Sequence, residues 1–160
     1  MGTMRRRVPV VGGIVACAIV AVALSGCASS AATPPPSSLT VTFTDGSGSQ
    51  SVVFQPDRVE CDDSGARGIS LKNDPQGRFS FVTSSDGTSR GSVGAGASVG
   101  LVAFQSDDVD VTISDGLVRV GQSSGEVSVV AGWTPADGFD VSQDDAARYT
   151  ATLSGELRCD

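Results

Sequence analysis

The chain has 160 residues and carries 18 acidic against 11 basic side chains, a formal net charge of −7. It contains no histidine, which excludes Ser-His-Asp and Cys-His catalysis and the commonest zinc and copper sites. A chain this acidic does not bind nucleic acid through the phosphates. We therefore predict a non-enzymatic protein with no metal, no cofactor and no nucleic-acid partner.

The sequence opens with the features of an export signal. Three arginines at positions 5–7 precede the fifteen-residue apolar run Val10–Leu24, which is shorter than the roughly 20 residues of a membrane span and suits a signal peptide. The run ends in Leu24-Ser25-Gly26-Cys27, the pattern of a lipobox, where small residues admit the peptidase and the Cys27 thiolate accepts a diacylglycerol. We predict a lipid anchor on Cys27 at the extracytoplasmic face of a bacterial cell membrane. The alternative is an uncleaved transmembrane helix.

Three regions follow from this interpretation. They are a lipoprotein signal peptide over residues 1–26, the lipidated Cys27 with a flexible tether up to residue 38, and a β-rich domain over residues 39–160. Ala28–Ser38 contains three consecutive prolines, which favour an extended linker. Without the arginines at positions 5–7, 8 basic residues remain against 18 acidic ones, a formal charge of −10. The acyl chains, and not the surface charge, would therefore hold the protein on an anionic bilayer.

Alternating apolar and polar residues predict an all-β domain, an antiparallel sandwich or a partly closed barrel. The clearest strand is Tyr149–Cys159, with eleven residues of unbroken alternation. Two segments are interpreted as connections: the Gly- and Ser-rich Ser84–Ser98 as a long loop, and Gln122–Gly125 as the turn of a hairpin.

Cys61 and Cys159 are the only cysteines in the predicted domain. Each falls on the apolar face of its strand, and an exported chain meets an oxidising compartment. We predict a disulfide between them, the alternative being two unpaired core thiols.

Acidic residues and a single tryptophan are the remaining candidates for a site. Aspartate in loops is chiefly a turn former, and we interpret as solvated turns the pairs Asp62-Asp63, Asp107-Asp108 and Asp144-Asp145. Asp137, Asp140 and Asp144 are the best-spaced oxygen ligands for a less favoured interpretation, a weak calcium site. Trp133 lies at a strand end and is interpreted as a core or rim anchor, with a ligand platform as the alternative.

Several features together resemble the mycobacterial nineteen-kilodalton lipoprotein antigen family. They are the lipobox, the small-residue and proline tether, Val59-Glu60-Cys61, the segment Ser98-Val99-Gly100-Leu101, and Gly155-Glu156-Leu157-Arg158-Cys159. The resemblance implies a non-enzymatic envelope lipoprotein, glycosylated in its tether, that acts as an adhesin and surface antigen.

Two hypotheses for the function follow. The first is an interaction or adhesion module that binds a protein or glycan partner on its outer face, with Ser84–Ser98 as the first candidate segment because long loops tend to carry recognition. The second is a lipid or small-molecule carrier, which needs an apolar cavity of at least about 300 Å³. Because the inward positions are mostly Val, Ala or Gly, we expect a filled interior.

Overall fold

The computed structural model describes residues 37–142 and 144–160. The predicted signal peptide, the lipidation at Cys27 and most of the tether lie outside the described residues. Among the described residues, no helix is long and apolar enough to cross a bilayer. The described part of the chain contains a single 3-10 turn, at Pro135–Asp137. It also contains ten strands, which are in chain order β1 Ser38–Asp45, β2 Gly48–Phe54, β3 Arg58–Asp62, β4 Gly65–Ser70, β5 Gly77–Thr83, β6 Ser89–Ala97, β7 Gly100–Ser106, β8 Val111–Ser114, β9 Leu117–Val130 and β10 Ala147–Arg158.

All ten strands form one curled antiparallel sheet in the order β2-β1-β10-β9-β7-β6-β5-β4-β3, with β8 paired to β9. The first part of β9 pairs with β8 and its second part with β7. The sheet curls until β3 meets the end of β10, where the Asp160 N–H donates to the Val59 carbonyl at 2.9 Å. The Asp160 carboxylate in turn accepts from the Val59 N–H at 2.7 Å. The predicted all-β class is confirmed, as a half-barrel.

Side chains fill the inner face of the curled sheet. Phe54, Phe79, Phe81 and Phe104 are at most 3% exposed, and the ring centroids of Phe79 and Phe81 lie 5.3 Å apart. Valine and leucine from the remaining strands complete this cluster. Each such residue contributes roughly 1.5–3 kcal/mol when fully buried, so the packing of the inner face is the main favourable term for the fold.

The predicted disulfide is confirmed. Cys61 on β3 and Cys159 just after β10 are bonded, with their Cα atoms 5.7 Å apart across a sequence separation of 98 residues. The alternative of two unpaired thiols is therefore excluded. The bond fastens the edge strand β3 to the far end of the chain.

The prediction of a long loop over Ser84–Ser98 is wrong, because Ser89–Ala97 is strand β6. Only a tight turn remains before it, closed by the Ser84 N–H donating to the Thr88 carbonyl at 2.8 Å. Small residues on β6 are required by its neighbour: a Cβ at Gly91 would lie 2.8 Å from the Phe81 ring. The glycine content therefore reflects packing against phenylalanine and not a loop.

The predicted hairpin turn at Gln122–Gly125 is also wrong, since the segment lies inside the 14-residue strand β9. The Ser123 side chain is buried, and its hydroxyl accepts from the Asp110 N–H at 2.9 Å and donates to the Gly121 carbonyl at 3.1 Å. The register with β10 shifts here, between Leu153 and Gly155. The polar residues mark a β-bulge, which bends a strand without ending it.

Candidate functional site

A row of polar side chains crosses the outer face of the sheet. Residues paired directly across neighbouring strands project from the same face, about 4.8 Å apart. The register aligns in this way one position on each of seven neighbouring strands, from β3 to β10, namely Glu60, Arg67, Ser80, Ser92, Gln105, Glu126 and Thr150. No run of the sequence contains this row, because every member comes from a different strand.

The middle of the row lines a groove, here called the outer groove, of about 540 Å³ that is open to solvent. Ser80, Ser92, Gln105 and Glu126 contribute hydroxyl, amide and carboxylate groups to it. The small residues Gly91 and Gly125 also line it. The outer groove is therefore a concave, hydrogen-bonding surface.

Exposed ion pairs border the outer groove. Arg90 Nε lies 3.5 Å from Asp107 Oδ1, and Arg148 Nη1 lies 3.0 Å from Glu126 Oε1. Exposed pairs of this kind are worth about 0–1 kcal/mol each. Either partner of such a pair can consequently leave the other and bind a ligand at little cost. Each pair joins one positive and one negative side chain, so the charges along this rim balance.

A second groove of about 390 Å³ lies beside the first, over β3, β4 and β5. The two carboxylate oxygens of Glu60 are divided between Arg58 Nη2 at 3.0 Å and Arg67 Nη2 at 2.9 Å. Ile69 projects next to them and is 41% exposed. Ser80 lines both grooves, so the two form a continuous surface on the outer face.

Trp133 lies at the rim of this face. Its ring packs against Gly96 and against Phe139, with ring centroids 5.5 Å apart, and its indole N–H donates to the Gly138 carbonyl. The Arg78 guanidinium lies 5.7 Å from the centre of the Phe139 ring. Arg78 lies two residues before Ser80 on β5, on the same face of the sheet as the polar row.

The structure does not bring together the three aspartates considered for calcium. Asp137 accepts from the Thr134 N–H at 2.7 Å, Asp140 pairs with Arg78 at 3.1 Å, and Asp144 accepts from the hydroxyl of a neighbouring serine at 2.8 Å. Within residues 37–142 and 144–160, no three His, Cys, Asp or Glu side chains converge as metal ligands do.

Other aspartates organise turns. Asp57 accepts from the N–H groups of Leu71 and Lys72, each at 2.8 Å, and these hydrogen bonds, the one from Lys72 foremost, hold the pKa of Asp57 below its ordinary value of 3.8. In the turn after β3, the side-chain and backbone hydrogen bonds of Ser64 lower the pKa of Asp62 in the same way. Such carboxylates stabilise the turns whose N–H groups they accept from.

Comparison of the chain with protein-family models, with curated proteins and with solved structures gives no match. Its function must therefore be inferred from its own residues and geometry.

Proposed function

We propose that this chain is a non-enzymatic envelope lipoprotein, anchored through Cys27, whose β domain is an interaction module. We further propose that the outer groove binds a glycan. The filled inner face is the observation that carries the proposal, because it leaves recognition to the outer surface. The resemblance to surface lipoprotein antigens supports the same role.

The chemistry of the outer groove favours a polyhydroxylated ligand. Ser80 and Ser92 each offer a donor and an acceptor, the Gln105 amide offers both, and Glu126 accepts. Balanced ion pairs at the rim give no strong preference for a charged ligand. A lipid would instead need an enclosed apolar cavity, and the corresponding space is occupied by phenylalanine rings.

The anchor is tested by Cys27→Ala, with Cys17→Ala as the matched control because it alters a cysteine within the apolar run. Detergent phase separation and mass spectrometry of the N-terminus measure the outcome. The wild type and the control should carry acyl mass and partition with detergent, whereas Cys27→Ala should do neither. An unacylated wild type would refute the anchor.

The outer groove is tested on glycan arrays with the whole chain in detergent micelles. The double substitution Gln105→Ala with Glu126→Gln should weaken binding at least tenfold, while Thr42→Ala, on the outer face of β1, should leave it unchanged. Equal binding by both variants would refute the outer groove as the site. Binding of proteins but no glycan would refute the ligand class, and a stoichiometric lipid in native mass spectra would favour the carrier hypothesis.

A further inference from the structure

The sheet has two edges, and they differ in how they are protected. The β3 edge carries the charged Arg58, Glu60 and Asp62 on a strand of five residues, and the residue Asp160 pairs with its backbone. Charges, short length and a covering segment are the usual protections of an edge strand against pairing with another chain. The β2 edge is longer and uncharged, and no segment of residues 37–142 or 144–160 pairs with its outer backbone.

The backbone of β2 is available on one side. The hairpin turn Gly46-Ser47 makes Asp45 and Gly48 a paired couple, and hydrogen-bonded positions then alternate along the ladder with β1. The N–H and C=O groups of Ser49, Ser51 and Val53 consequently point away from β1, and β2 pairs with no other strand in the described part of the chain. Gly48–Phe54 contains neither proline nor a charged residue, and Val53 is 44% exposed.

The space beside this edge suits an extended segment. A slot of about 240 Å³ is lined by Ser51 and Val53 and, across from them, by Pro75, the end of β6 and the β6–β7 turn. A single extended chain needs about 4.8 Å beside its partner strand. The turn on the far side of the slot limits the approach of a broad second sheet.

The charges near the slot indicate the nature of its occupant. Asp45 lies at one end of β2 and Asp57 follows its other end, while Asp74 lines the slot. The loop between β4 and β5, which contains Asp74, has Lys72 as its basic residue. A second copy paired antiparallel about Ser51 would bring Asp45 towards Asp57 of the other copy, and opposed like charges are destabilising. The acidic ends favour an occupant with basic residues at its own ends.

We propose that the free edge of β2 binds an extended peptide segment of a partner protein, which adds a strand to the sheet and carries lysine or arginine at its ends. Main-chain hydrogen bonds to Ser49, Ser51 and Val53 supply the affinity, as in other cases of strand addition. Asp45 and Asp57 at the two ends of β2, together with Asp74 in the slot, select the basic flanks. This site is separate from the outer groove, whose residues are on β5, β6, β7 and β9.

The test uses the whole chain in detergent micelles and a fluorescent peptide of alternating threonine and valine flanked by two lysines at each end. Fluorescence anisotropy measures binding, and NMR amide exchange identifies the strand. Ser51→Pro removes an outward N–H at an edge position where proline is tolerated, and Ser51→Thr keeps that N–H as the matched control. A peptide N-methylated at alternate residues tests the same hydrogen bonds without altering the protein, and a peptide with glutamate for lysine tests the charge selection.

We expect the lysine peptide to bind, with amide exchange at Ser49, Ser51 and Val53 slowed at least tenfold. Ser51→Pro, peptide N-methylation and the glutamate exchange should each weaken binding at least tenfold, and Ser51→Thr should not. Absence of binding, or protection on another strand, would overturn the proposal. Protection that rises with protein concentration and needs no peptide would identify a second copy as the occupant and would overturn it as well.

Discussion

Removal of the Cys61–Cys159 bond should cost the domain a large part of its stability. The bond closes a loop with a sequence separation of 98 residues, for which the chain-entropy model gives about 4.7 kcal/mol at 25 °C. The native geometry should persist in the double variant Cys61→Ser with Cys159→Ser, because the two hydrogen bonds between Asp160 and Val59 hold the same strands together. We therefore expect a loss of about 3–5 kcal/mol, acting mainly through the unfolded state.

Urea unfolding followed by far-ultraviolet circular dichroism measures this loss. With a denaturant dependence of about 2 kcal/mol per molar urea, the midpoint should fall by about 2 M. Asp160→Asn is the control: it weakens one acceptor for the Val59 N–H and should cost about 1 kcal/mol. A double variant no less stable than this control would contradict the reasoning, since the long loop would then contribute nothing.

Three further outcomes are expected. Gly96→Ala should displace the Trp133 ring and shift tryptophan fluorescence to the red, whereas Gly94→Ala, on the same strand with open space above it, should leave the spectrum unchanged. Asp57→Asn should make stability less sensitive to acid. The lowered pKa of Asp57 stabilises the fold above the unfolded-state pKa of about 3.9, and this contribution is lost as pH falls through the folded-state pKa. Acid titrations followed by circular dichroism would show the difference. Leu153→Ala, at a fully buried position, should lower the free energy of unfolding by about 2–5 kcal/mol, measured by urea unfolding.

The sequence predicted strands correctly where side chains alternate between core and solvent. The strand β10 is the best case, because Ala151, Leu153 and Leu157 are buried while their neighbours face outwards. The disulfide followed from the same alternation. Both depend on local patterns of apolar and polar residues, which can be recognised without knowing the contacts made by the rest of the chain.

The sequence did not predict features that depend on distant neighbours. The strand β6 was missed because its small residues fit the phenylalanine rings of β5, and glycine in isolation disfavours strands. The polar row was missed because the alignment of Ser92 with Gln105 is fixed by strand register alone. The sequence shows that the individual residues of the candidate site are polar, but it does not predict that they assemble into a groove.

The position of β1 determines how the protein would bear a mechanical load. In an anchored protein the tether enters the sheet at Ser38, and β1 lies between β2 and β10, paired along most of its length with both. A ligand held in the outer groove would pull on β5–β9 while the membrane pulls on β1. Strands drawn past one another in this way must break many hydrogen bonds at once, whereas an edge strand pulled outwards unzips one bond at a time. In an anchored protein the tether would thus join the sheet at an interior strand, where a pull parallel to that strand has to break its hydrogen bonds to β2 and to β10 together.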